Sequence, residues 1–187
     1  MDIKGRNIAI IGGGESGVGA ALLGKKMGAN VFVSDAGALK EQYRKELLDA
    51  NIDFEESGHD FERIVASNYV IKSPGIPAQV PIFKELALKK VPVLSEIEFA
   101  SNFTNAKKVC ITGSNGKTTT TMLVYHIFKN AGLNVAFAGN IGKSLARQVS
   151  LSEPDYFIIE LSSFQLDDLQ TFRADVSILL NITPDHL

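Results

Sequence analysis

The sequence predicts an α/β chain of two tandem parallel-sheet units, a Rossmann-like N-terminal unit followed by an incomplete P-loop unit. Three observations carry that expectation. Short β-branched runs alternate with longer segments of helical spacing along the whole chain. Two of these runs lead straight into glycine-rich turns, at residues 12–17 and 113–116. Between the two groups lies Ser101-Asn102-Phe103-Thr104-Asn105-Ala106, small and polar apart from one aromatic, which reads as a linker.

The first expected strand, residues 7–11, is continuously apolar after Asn7, the pattern of a strand covered on both faces. Residues 30–34, 69–71 and 91–94 repeat it, with helical spacing between them. A short helix near residues 96–100 closes the group, so the boundary is placed near residue 95, with domains 1–94 and 95–187. The second unit runs through strands at 108–112, 135–138, 156–160 and 176–180, with a helix after the first of them ending near Gly132. A parallel strand ordinarily feeds a further helix, yet only residues 181–187 follow the last run, so this unit is expected to be a fragment.

Composition narrows the function. The 187 residues are 45% apolar and 21% charged, which fits a packed globular chain and excludes disorder. A formal charge of −2 without a basic run argues against nucleic acid. No apolar stretch approaches the roughly 20 residues that span a bilayer, and the start runs directly into a strand, so no membrane association or export is expected. Cys110, the single cysteine, lies within a strand and has no disulfide partner, which suits a reducing cytoplasm. A monomer is expected.

Thr112-Gly113-Ser114-Asn115-Gly116-Lys117-Thr118-Thr119 stands between a strand and a helix. There, glycines let backbone N–H groups turn onto a phosphate, and the helix N-terminus adds partial positive charge. Lys117 is placed for the β/γ oxygens of a nucleoside triphosphate and the Thr118 hydroxyl for magnesium. The loop is shorter than the common form, whose first glycine would fall at Ile111. The bland alternative is a tight strand-to-helix turn with an incidental lysine.

Gly12-Gly13-Gly14-Glu15-Ser16-Gly17 fits G-x-G-x-x-G, and Asp35 ends the next strand, 18 residues past Gly17. That pattern offers a nucleotide diphosphate a turn and a ribose an acceptor, the base being open; alternatively it is a close helix–strand crossing that needs small residues. Ser73-Pro74-Gly75-Ile76-Pro77 follows strand 69–71 and belongs at the same carboxyl edge, so both turns could line one crevice.

Taken together, these pieces resemble the Mur ligase family, the ATP-dependent amide-forming enzymes of peptidoglycan synthesis. The family's ATP loop has the short form T-G-[ST]-N-G-K-[ST]-[ST], met here at residues 112–119; Gly139-Asn140-Ile141-Gly142, Glu160-Leu161-Ser162-Ser163-Phe164-Gln165-Leu166 and residues 181–187 match as well. Ser73-Pro74-Gly75-Ile76, Ser95-Glu96-Ile97-Glu98 and the E-L-S-S-F-Q-L run look like its D-glutamate-adding branch.

The resemblance implies UDP-N-acetylmuramoyl-L-alanine and D-glutamate as substrates, ATP and Mg2+ as cofactors, and an acyl-phosphate intermediate attacked by the amine. It implies catalytic roles for Lys117, Glu160 and His186; ATP contacts from Gly113, Ser114, Asn115, Gly116, Lys117, Thr118 and Thr119; and metal ligation by Thr118, Glu160 and His186. For the uridine nucleotide and muramoyl substrate it points to Ser16, Gly17, Val18, Asp35, Ser73, Gly75, Asn140 and Ser162. Asn140 and Ser162 would otherwise pass as a turn residue and a helix cap, and Glu160 as a strand-end acid. His59 and His126 fit no motif and are expected to be solvated or locally satisfied.

The family's C-terminal amino-acid domain and a modified metal-site lysine have no counterpart here, so the fragment alone is expected to be inactive. Two other readings stand beside the ligase: a nicotinamide-dependent oxidoreductase, which leaves residues 112–119 without a task, and a nucleotide-binding module without catalysis.

Overall fold

Two parallel sheets form where the apolar runs lie. The computed structural model describes residues 1–77 and 79–183. The first unit comprises β1 (Asn7–Ile11), α1 (Glu15–Lys26), β2 (Asn30–Ser34), α2 (Glu41–Asp49), β3 (Asp53–Glu55), α3 (Phe61–Val65), β4 (Tyr69–Lys72), α4 (Pro81–Leu88) and β5 (Val93–Ser95). The second comprises α5 (Glu96–Ser101), β6 (Lys107–Thr112), α6 (Lys117–Asn130), β7 (Val135–Gly139), α7 (Leu145–Leu151), β8 (Tyr156–Glu160), α8 (Ser163–Asp167) and β9 (Val176–Leu179).

The strand order in the first sheet is β3-β2-β1-β4-β5, all parallel. From β1 the chain winds to one side through β2 and β3, then crosses to the other for β4 and β5. The reversal opens a crevice at the carboxyl ends of β1 and β4, where ligands of such sheets bind. The second sheet, β7-β8-β6-β9, is also parallel and sets the ends of β8 and β9 on either side of β6.

Ile8, Ala9, Ile10 and Ile11 of β1 are all buried, as are Phe157, Ile158 and Ile159 of β8, because helices cover both faces of a central parallel strand. The short β3 was not anticipated: Asp53-Phe54-Glu55 is flanked by acids and pairs only at the sheet edge. β5 begins at Val93 rather than 91, because the Val91 N–H donates to Leu86 O to close α4 and Pro92 has no N–H to offer.

β5 passes directly into α5, with the Ser95 hydroxyl accepting the Glu98 N–H as the helix cap. From there a seam of buried charge joins the units. Glu96 Oε1 accepts the Ala146 N–H at 2.5 Å, at the start of α7. Glu98 receives the N–H groups of Gln170, Thr171 and Phe172 at 3.0, 2.9 and 3.1 Å, together with the Thr171 hydroxyl. Burial alone would favour the neutral acid, but these hydrogen bonds outweigh it and hold Glu98 below the ordinary carboxylate range. Arg147 of α7 reaches back to the first unit, with Nε 2.7 Å from Glu15 Oε1 and Nη1 paired with Glu46.

Candidate functional site

The phosphate loop forms between β6 and α6 as the sequence requires. Gly113 has φ +146° and a Cβ there would come 3.1 Å from Leu180 Cβ; Gly116, with φ +84°, caps α6 without a side chain. The first helical bond of α6 is Thr120 N–H to Gly116 O, so the amides of Lys117, Thr118 and Thr119 have no acceptor within the helix. Lys117 Nζ lies back over the loop, donating to Gly113 O at 2.6 Å and Ser114 O at 3.0 Å. Thr119 is exposed on the first turn of α6.

At the end of β8, buried Glu160 is held from two sides. Thr118 Oγ1 donates to its Oε2 at 2.8 Å, and Asn140 Nδ2, in the turn after β7, donates to its Oε1 at 2.8 Å. Three residues drawn from separate motifs thus meet around one carboxylate. Ser162 caps α8 through a reciprocal pair with Gln165, so the helix-cap reading of Ser162 holds while the residue also faces the cleft. His186 lies outside the described residues.

A cleft of about 630 Å³ opens beside Lys117, Asn140 and Ser162, with Thr118 and Glu160 outside its lining. Thr112, Gly113, Ser114, Lys117, Asn140 and Ser162 line it from the second unit, while Pro74 and Gly75 reach in from the first. Ser73 ties that turn to the first glycine-rich turn, its Oγ donating to Gly12 O at 3.0 Å, while residues 12–17 are not among those that line this cleft. Lys72, just before the turn, is buried; its Nζ donates to Ile76 O at 2.9 Å and pairs with Asp168 across the units at 2.8 Å. Sequence reasoning missed this bridge, whose one signal was a lysine closing an otherwise apolar strand.

The first glycine-rich turn is arranged differently from a bare dinucleotide fingerprint. Asp35 Oδ2 accepts the Gly13 N–H at 2.6 Å and Oδ1 accepts the Gly37 N–H at 2.8 Å, and Leu39 covers Gly13, its Cδ2 lying 2.1 Å from where a Cβ would be. A Cβ at Gly17 would meet Gly12 O at 1.8 Å, so Gly17 serves the close helix–strand crossing. Val18 is wholly buried with its N–H on Gly14 O, which takes it out of the ligand-facing set. Ser16 sits half-buried in the first turn of α1. His59 is satisfied by the Ser34 hydroxyl at 2.5 Å and His126 by Asn130 at 2.8 Å, as expected of histidines outside the motifs. Cys110 is buried and unpaired, its thiol pushed by burial up to about 12.

Among the described residues no three His, Cys, Asp or Glu side chains gather as a ready-made metal cluster. The Thr118 hydroxyl and Glu160 carboxylate are nonetheless hard oxygen donors, and magnesium in phosphate sites commonly takes only one or two carboxylates besides phosphate and water. No helix of the described residues is long and apolar enough to cross a membrane.

Comparison with known proteins agrees with this layout. Residues 7–81 match the model of the MurD N-terminal domain and residues 111–187 that of the Mur ligase middle domain. The chain is 57% identical over 183 residues to the UDP-N-acetylmuramoylalanine–D-glutamate ligase of Bacteroides fragilis, and 54% identical over 187 residues to that of Porphyromonas gingivalis. These alignments cover 97% and 100% of this chain but 41% and 42% of the relatives, so the chain spans about two fifths of their length. In fold it is similar to the Neisseria meningitides UDP-N-acetylmuramate:L-alanyl-gamma-D-glutamyl-meso-diaminopimelate ligase (TM-score 0.66, 21% identity, 97% of this chain and 62% of that one). It is also similar to the Thermotoga maritima UDP-N-acetylmuramate-alanine ligase (TM-score 0.62, 20% identity, 97% and 42%).

Proposed function

The chain belongs to the Mur ligase family, and on that premise we propose that it is the substrate- and ATP-binding part of a ligase joining D-glutamate to UDP-N-acetylmuramoyl-L-alanine. The observation that carries the reading is the single cleft in which Lys117, Asn140 and Ser162 meet the Pro74–Gly75 turn of the other unit. A carboxylate becomes a good acyl donor only when its oxygen is made a leaving group, and transfer of the γ-phosphoryl of ATP to it does this. The amine of D-glutamate then attacks the acyl phosphate, and phosphate departs.

For this chain the work is positioning and neutralisation of charge. The amides at the start of α6, which have no acceptor within the helix, receive the β- and γ-phosphates, and Lys117 exchanges its loop carbonyls for γ-phosphoryl oxygens. Thr118 and Glu160 would hold Mg2+, with His186 as a further ligand, and the ion would supply additional neutralisation of the phosphates. Asn140 orients Glu160 from the opposite side. In the first unit, Ser16, Asp35, Ser73 and Gly75 take the uridine nucleotide, which brings the muramoyl carboxylate toward the P-loop past Ser162. The protein acts in the cytoplasm as a monomer.

Lys117→Ala in a full-length protein carrying this chain tests the assignment. Turnover should fall at least about 100-fold while affinity for the uridine substrate stays within about twofold, since loss of a positioned transition-state charge costs about 3 kcal/mol. Turnover equal to the parent's would overturn it.

A further inference from the structure

The short phosphate loop is braced by a second segment. Gly113, Ser114, Asn115 and Gly116 are all that separate β6 from α6, and the chain leaving β9 lies along them. Leu180 N–H donates to Thr112 O at 3.0 Å and Ser114 N–H to Asn181 O at 3.0 Å. The Asn181 side chain then uses both ends of its amide on the backbone of one residue, Asn115, Oδ1 accepting the N–H at 2.9 Å and Nδ2 donating to the carbonyl at 2.9 Å. The two partners fix which end is oxygen, since a backbone N–H must meet an acceptor and a carbonyl a donor. Beyond it, Ser114 Oγ donates to Thr183 O at 3.0 Å and accepts the Thr183 N–H at 2.9 Å.

We propose that Asn181 is a positioning residue of the ATP site: by clamping Asn115 it holds the loop in its phosphate-receiving curvature. This rests on the ATP reading above. Asn181 acts through Asn115 and Ser114, immediately ahead of Gly116, whose φ of +84° starts the α6 turn that presents Lys117 and Thr118. Among the usual substitutes only asparagine has the reach and the donor–acceptor pair. Aspartate accepts the N–H but sets its second oxygen against the Asn115 carbonyl, and alanine reaches neither group.

The test is steady-state kinetics on a full-length protein carrying this chain, comparing parent, Asn181→Asp and Asn181→Ala. Both variants should raise KM for ATP about tenfold or more, with KM for the uridine substrate within about twofold and kcat less affected, the split expected when one subsite is loosened. Unchanged KM for ATP in both, or a fall in kcat alone as a smaller folded fraction would give, overturns the proposal. So does joint loss of uridine-substrate binding, which would mark Asn181 as a residue of the fold at large. A parent without ATP-dependent turnover refutes the ATP reading itself, and with it this inference, before any variant is compared.

Discussion

Glu96 offers the sharpest physical test of the seam between the two units. Its carboxyl is 1% exposed, with Oε1 taking the Ala146 N–H and Oε2 without a hydrogen-bond partner among the described residues. Burial pushes its pKa from 4.5 to about 7; the Ala146 bond pulls the other way, and the nearby Glu15 charge adds to the rise. Between those two values the folded chain keeps a proton that the unfolded chain has released, so the contribution of Glu96 to stability is fully present below pH 4.5 and is lost as pH climbs to about 7. At about 1.4 kcal/mol per pH unit, the whole interval corresponds to about 3 kcal/mol. Glutamine is isosteric, keeps a carbonyl for Ala146 and carries no charge. Glu96→Gln should therefore match the parent near pH 4.5 and exceed it by about 3 kcal/mol at pH 8, or roughly 6–12 °C in Tm for a chain of this size. Urea titrations at a series of pH values measure the difference directly. Parallel stability curves for the two proteins, with no divergence above pH 5, would refute the reasoning.

Glu98 should behave in the opposite sense: its pKa is held low, so its stabilisation is present above the ordinary carboxylate range and vanishes as pH falls through the folded value. Glu98→Ala strands the N–H groups of residues 170–172 and should cost about 3 kcal/mol at neutral pH, read by thermal melting; a loss under about 0.5 kcal/mol would count against the buried-carboxylate account. Lys72→Met leaves Asp168 partly buried and unpaired and should cost about 2 kcal/mol, whereas Lys72→Met combined with Asp168→Leu should recover part of it; strictly additive losses in the double-mutant cycle would show that the bridge carries no coupling. Gly113→Ala forces a side chain into φ +146° against Leu180, and should weaken ATP binding about tenfold or more by calorimetry while leaving the first unit's affinity for the uridine substrate unchanged.

How much of this was legible depended on where each residue's constraint comes from. The strands at 7–11, 30–34 and 156–160 emerge with the expected bounds because burial on both faces writes itself as an unbroken apolar run. The phosphate loop was legible because backbone curvature demands glycine and charge demands lysine at a fixed spacing. Asn140, Glu160 and Thr118 could be named only through their separate motifs; that they converge on one carboxylate is a product of strand order, which puts the ends of β7, β8 and β6 in a row. The seam was not legible at all. Glu96 and Glu98 read locally as an acidic first turn of a helix, and nothing in their neighbourhood names Ala146 or residues 170–172, about 50 and 72 positions away, as their partners. β3 escaped for the converse reason: an edge strand paired on one side needs little apolar surface, so it leaves no run to read.

The two glycine-rich loops share a property that bears on what they select. In each, a charged group of the chain already meets the loop: Asp35 sits on the Gly13 amide in the first, and Lys117 on the Gly113 and Ser114 carbonyls in the second. Ligand binding is therefore an exchange, and only the difference between old and new contacts contributes to affinity. At the first loop an incoming phosphate competes with a carboxylate for the same amide, an anion-for-anion exchange that gains little from the turn itself and leaves recognition to the rest of a large substrate. At the second, an ammonium trades two neutral carbonyls for anionic oxygens, a gain that grows with the charge of the ligand. A nicotinamide dinucleotide would draw on the first loop and leave the second idle. Under the ligase function proposed above, a uridine nucleotide at the first loop and a triphosphate on Lys117 would use both.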